Sequence, residues 1–121
     1  GINAEYGENM LSLFQCSIQS VQQIGSNFDQ KIIHQNKPMF VMFYTPWCEH
    51  YLGFKQNWET FLMDAIEFAQ VNCVDNRDVC QDENIKDYPT FKFYKRGEFF
   101  AKYKGDRDKE KMYQWLLMKN K

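Results

Sequence analysis

Six consecutive residues, Met39-Phe40-Val41-Met42-Phe43-Tyr44, are apolar apart from the Tyr44 hydroxyl. Successive side chains of a strand point to opposite faces, so a strand with one wet face alternates apolar with polar, while one covered on both faces is apolar throughout. The run therefore predicts the central strand of a sheet with a layer on either side. It is far shorter than the roughly 20 residues that cross a bilayer, and no longer apolar run occurs, so no transmembrane helix is expected.

The rest of the chain falls into place around that strand. Residues 19–24 read as a first strand, and Ser26 or Asn27 as the cap of a short helix carrying Phe28 and Ile32 at i, i+4 spacing. Past Pro46, the residues Phe54, Trp58, Phe61, Leu62, Ala65 and Ile66 recur at helical spacing and predict one long amphipathic helix with Phe54, Trp58, Phe61 and Leu62 in the core. Ala69, Val71 and Cys73 alternate as a strand does, and 75–84 is polar enough for a short surface helix or loop. Two β-rich runs, 90–95 and 98–104, flank Arg96-Gly97 as a hairpin turn. Asp106 or Asp108 then caps a last helix bearing Met112, Trp115 and Leu116 on one face. The order β, α, β, α, β, short α, β, β, α implies an α/β domain with a central mixed sheet flanked by helices on both faces.

With 121 residues, 44% of them hydrophobic, the chain suits one domain that buries a sizeable core. Residues 1–15, with Met10 and Phe14 at helical spacing, are read as an N-terminal arm or extra helix, and 16–121 as the domain proper. Fifteen Lys plus Arg against sixteen Asp plus Glu leave a charge of -1. No chain-wide basic field exists to hold nucleic acid or an anionic membrane, so neither is expected as a partner. No signal-peptide pattern occurs at the start, and any targeting segment is expected to have been removed.

The chemistry is concentrated in Tyr44-Thr45-Pro46-Trp47-Cys48-Glu49-His50-Tyr51, where the buried strand gives way to the long helix. A thiol at a helix N-terminus meets unpaired N–H groups and the positive end of the helix dipole, which stabilise its thiolate and lower its pKa. Cys48 is thus a candidate nucleophile.

Phe43-Tyr44-Thr45-Pro46-Trp47-Cys48, Tyr88-Pro89-Thr90, and Tyr103-Lys104-Gly105 with Arg107 together resemble a thioredoxin-fold domain of the protein disulfide isomerase family. The resemblance covers roughly 19–118. It implies a cis peptide bond before Pro89 and a groove bordered by Trp47 and Tyr88 in which an extended client lies, with Tyr51 and Pro89 beside it. It also matches Arg107 to a family arginine that tunes the resolving cysteine, the alternative being a plain exposed Arg at a helix start; His50 is a candidate to tune the Cys48 pKa, the alternative being a partly exposed loop residue. Cys73 and Cys80 match a pair that forms a structural disulfide in some domains of the group, the alternative being two reduced, partly buried thiols.

Two departures from the family pattern bear on function. Family enzymes carry Cys-x-x-Cys, whereas Tyr51 stands at the second position here, so the resolving thiol is missing and no intramolecular active-site disulfide can form. Where those enzymes place a buried Glu on the central strand, this chain has Met42. The expected function is binding of unfolded or cysteine-containing clients in the endoplasmic reticulum lumen or outside the cell, alone or beside a partner oxidoreductase. The alternative is monothiol exchange through Cys48. A monothiol glutaredoxin is disfavoured by Trp47, by Tyr88-Pro89-Thr90 and by the lack of a Gly-Gly pair downstream. No metal or cofactor is expected. Cys16 is open to three readings: a free thiol, a link to another chain, or a neighbour of Cys48.

Overall fold

Met39–Tyr44 forms strand β2, buried at every one of its six positions. The computed structural model describes residues 21–47 and 49–121, and only the backbone of 49–51. In chain order, β1 (Val21–Ile24) and α1 (Phe28–Ile33) precede β2, and α2 (Glu49–Glu59), β3 (Glu67–Asn72) and α3 (Arg77–Asp82) follow it. The chain then forms β4 (Thr90–Lys95), β5 (Glu98–Tyr103) and α4 (Lys109–Lys119). The arm expected at 1–15, the strand start at Gln19 and Cys16 lie outside the described residues.

The strands form one sheet in the order β1-β3-β2-β4-β5, with β1 and β2 parallel to β3, and β4 antiparallel to both β2 and β5. Strand pleating divides β2 between two cores. Phe40, Met42 and Tyr44 face α2 and α4, where Phe54, Trp58, Met112 and Leu116 close the layer. Met39, Val41 and Phe43 face α1 and α3, against Phe28, Ile32 and Cys80. Helices thus cover both faces, as the unbroken apolar run requires. Phe40 is the hub of the first core: its ring lies 5.7 Å from Phe91 and 5.9 Å from both Trp58 and Trp115. A fully buried side chain of this size stabilises the fold by roughly 1.5–3 kcal/mol.

The β4–β5 turn has both central residues in the left-handed region, Arg96 at φ 56° and Gly97 at φ 83°. That conformation matches the right-handed twist of the flanking strands. Gln35 Oε1 accepts from the Gly97 N–H at 2.9 Å and ties the turn to the loop before β2.

Two sequence expectations need correction, and a third is narrowed to one of its alternatives. The helix through Phe54 and Trp58 stops at Glu59 rather than running to Ile66, and Leu62 and Ala65 are exposed. Local i→i−3 bonds close its last turn, Thr60 N–H to Asn57 O and Phe61 N–H to Trp58 O, both at 3.1 Å, and tertiary contacts hold the chain beyond: the Tyr113 hydroxyl accepts from the Leu62 N–H at 2.8 Å, and Lys109 Nζ donates to Thr60 O at 3.3 Å and to Thr60 Oγ1 at 2.9 Å. Phe61 and Ile66 are buried from outside any helix, Ile66 through an isolated bridge to Met63. At α1, Asn27 occupies the cap position but its side chain accepts instead from the Gly25 N–H at 3.1 Å. At α4 the expected cap, Asp106 or Asp108, is Asp108: its carboxylate accepts from the N–H groups of Glu110 and Lys111.

Candidate functional site

Antiparallel register gathers the motif-bearing segments at one end of the sheet. Phe43 pairs with Thr90 and Phe91 with Tyr103, so the chain leaving β2 toward Trp47, the approach to β4 through Tyr88-Pro89, and the exit of β5 toward Arg107 emerge together. The parallel neighbour β3 ends there too, where the Cys73 N–H donates to Tyr44 O at 2.9 Å.

A groove of about 410 Å³ opens at this end, lined by Thr45 and Trp47 after β2, by Ile85 and Tyr88 before β4, and by residues of α3. Trp47 is 68% exposed, an unusual position for an indole that finds no core to enter. Tyr88 is half-buried against the α1/α3 core, and the bond between it and the buried Pro89 is cis. Thr90 Oγ1 donates to Asp87 O at 2.6 Å and closes this short loop on itself. Among the described residues, a wider depression of about 700 Å³ lies on the β1 side, but apart from Tyr44 its walls are mainly the amides of Gln23, Asn27, Asn72 and Asn76.

The other predicted residues are placed unequally. Cys73 and Cys80 are joined by a disulfide with S–S 2.07 Å and Cα–Cα 5.7 Å, and both line the groove. Arg107 is exposed in the β5–α4 connection and is not among the residues lining the groove. Beside it, Asp106 and Lys111 form an exposed ion pair at 2.8 Å; their hydrogen bond holds the Asp106 carboxyl below its usual range and the Lys111 ammonium above its own. The Tyr103 hydroxyl donates to Asp106 O, and burial raises its pKa. Met42 is fully buried in the aromatic core. Cys48 and the side chains of His50 and Tyr51 lie outside the described residues. Among the described residues, no group of three or more His, Cys, Asp or Glu could hold a metal ion.

Four further groove residues escape a reading by motif: Val74, Arg77, Gln81 and Ile85. The available signal is spacing. Arg77, Cys80 and Gln81 stand at i, i+3 and i+4 of α3, hence on one face, and that face, tied to Cys73 by the disulfide, lines the same groove as Trp47.

The thioredoxin family profile matches residues 19–118. The chain belongs to the thioredoxin family. Among the described residues, the five-stranded mixed sheet and four helices are the thioredoxin fold, and the relatives of the chain include protein disulfide isomerases. It is 40% identical over 90 residues to protein disulfide isomerase-like 5-1 of Oryza sativa subsp. japonica, a match covering 70% of this chain and 61% of that one. It is also 40% identical over 91 residues to protein disulfide-isomerase A5 of Mus musculus, covering 69% of this chain and 17% of the other. The solved structure of the first two thioredoxin domains of Naumovozyma dairenensis Eps1p aligns with a TM-score of 0.67 at 29% identity, over 78% of this chain and 38% of that one. The thioredoxin-family chain thus spans 61% of the rice relative and 17% of the mouse one.

Proposed function

We propose that this is a protein disulfide isomerase-like domain that lacks the resolving cysteine and holds unfolded or thiol-bearing client chains in the groove between Trp47 and Tyr88. The observation that carries the reading is the groove itself. An exposed indole and a half-buried phenol border one trough beside cis-Pro89, and the backbone there is fixed by the Thr90–Asp87 bond. Such a site grips apolar side chains of an extended chain without selecting a sequence. Cys48-Glu49-His50-Tyr51 retains one thiol of the family's pair, so client capture is separated from dithiol oxidation. The Cys73–Cys80 disulfide favours an oxidising compartment, the endoplasmic reticulum lumen or the cell exterior. A partner oxidoreductase then supplies the chemistry this chain lacks.

A second reading, monothiol exchange, is favoured by one observation: α2 begins at Glu49, directly after Cys48 in sequence. The thiolate of Cys48 attacks a client disulfide, a mixed disulfide forms, and an external thiol or Cys16 releases it. His50 and Arg107 are the candidate tuning groups.

Reduced, carboxymethylated α-lactalbumin, an unfolded chain with no free thiol, separates the two readings. Wild type and Cys48→Ser are expected to bind it equally, within about twofold. Loss of binding in Cys48→Ser contradicts the groove reading, and covalent capture of an unblocked, disulfide-bearing client by wild type alone supports exchange.

A further inference from the structure

The Cys73–Cys80 bond is more than a link in the core, because of what it holds. Cys73 follows β3 and Cys80 sits in α3, and both sulfur-bearing residues are 4% exposed, so the small opening they have is into the groove. The segment 73–88 supplies most of the groove wall, including Arg77, Gln81 and Tyr88. Its one helix is six residues long, too short to persist without tertiary support.

Apart from the disulfide, the apolar support for α3 is modest: Val79 and Ile85 pack against the second core, both only half-buried. Beyond α3 the segment is anchored differently. Glu83 is fastened to β4 through its backbone carbonyl, which accepts from Lys92, and through its carboxylate, which accepts from the Tyr94 hydroxyl. Asp87 is fastened through Thr90. Before α3 the turn is held by bonds from Val74 and Asn76 to Asn72, so cutting the disulfide loosens the helix itself, between Asn76 and Glu83, while that turn, the sheet and the cis-Pro89 loop keep their own bonds.

We propose that the Cys73–Cys80 disulfide is a redox control site of the client groove: oxidised, it sets α3 as a firm wall opposite Trp47; reduced, it releases that wall and client affinity falls. The inference rests on the groove being the client site. It gives redox sensitivity to a chain whose Cys-x-x-Tyr motif cannot cycle by itself. The reductant is a thiol of the glutathione class entering through the groove. Its thiolate attacks one sulfur, the S–S bond breaks as a mixed disulfide forms, and the other cysteine leaves as a thiolate that takes up a proton. A second thiolate attacks the mixed disulfide, releasing the first cysteine as a thiol and the reductant as its disulfide. Two electrons pass to the protein and two reductant thiols are oxidised.

The test titrates the whole chain with glutathione redox buffers and maps thiols at 73 and 80 by mass. On the same samples it measures amide hydrogen exchange and affinity for carboxymethylated α-lactalbumin, which cannot form a covalent link. Reduction is expected to speed exchange within 76–83 at least tenfold, to leave β2 and β4 protected, and to weaken binding at least fivefold. Cys73→Ala/Cys80→Ala is expected to match the reduced protein under all buffers. Equal binding in both redox states, unchanged exchange in 76–83, or loss of protection throughout the sheet on reduction each overturns the proposal. If the oxidised chain does not bind the probe at all, the groove reading fails, and the control site proposed for it is overturned with it. If oxidised and reduced chains bind equally, the groove reading stands and only the control site falls.

Discussion

Phe43 and Thr90 face each other across β2 and β4, and this single pairing brings the strand that leads to Trp47 alongside the loop that carries cis-Pro89. Thr90 is 5% exposed, and its hydroxyl is spent on Asp87 O at 2.6 Å. Thr90→Val keeps the shape and deletes the bond. The expected result is a loss of about 1 kcal/mol in urea unfolding, with a few-fold weaker grip on an unfolded probe because the Tyr88 side of the groove is no longer held.

Phe40 tests the core that holds that sheet end in place. It is fully buried among aromatic rings of α2, β3, β4, β5 and α4. Phe40→Ala leaves a cavity that rigid rings fill poorly, and a destabilisation of about 3–5 kcal/mol is expected by chemical denaturation.

Much of this was legible in the sequence, and where it was not the reason is tertiary. β2 was readable because burial on both faces leaves its mark on every residue, and the hairpin because Gly97 tolerates the left-handed turn. The overlong helix was not, because Phe61 and Ile66 continue the spacing of Phe54 and Trp58 while being buried outside the helix. Past Glu59 the chain tightens into i→i−3 bonds from Thr60 and Phe61 to Asn57 O and Trp58 O, and Leu62 then bonds the hydroxyl of Tyr113, 51 residues away. The groove divides similarly. Trp47 and Tyr88 follow from family motifs, but Arg77 and Gln81 sit in a polar, exposed stretch that reads as plain surface, and only the folded arrangement puts them on the groove beside Cys73 and Cys80.

Asp108 makes a sharper local prediction. Its carboxylate accepts two N–H groups of the first turn of α4, at 2.9 and 3.3 Å. Asp108→Ala is expected to lose about 1 kcal/mol of thermal or urea stability, while Asn27→Ala, whose side chain caps no helical N–H, loses less.

Alkaline pH provides a further check through Tyr94. Burial, reinforced by its bond to the Glu83 carboxylate, pushes its phenol well above the usual value of 10.0. The unfolded chain gives up this proton near pH 10 while the folded chain keeps it, so stability is fully present below that pH and falls as pH rises above it. Tyr94→Phe is expected to be less stable than wild type by about 1–2 kcal/mol at pH 8. The gap should narrow above pH 10 in urea titrations. Lys92, whose pKa burial lowers, acts in the opposite direction but in both proteins alike. A gap that stays constant to pH 11 contradicts the assignment.

The central claim is that the trough between Trp47 and Tyr88 holds the client. The most direct measurement is the affinity of wild type and of Trp47→Ala/Tyr88→Ala for carboxymethylated α-lactalbumin, with circular dichroism confirming that both are folded. The account predicts at least a tenfold loss of affinity in a folded double variant. Affinity unchanged within twofold contradicts it.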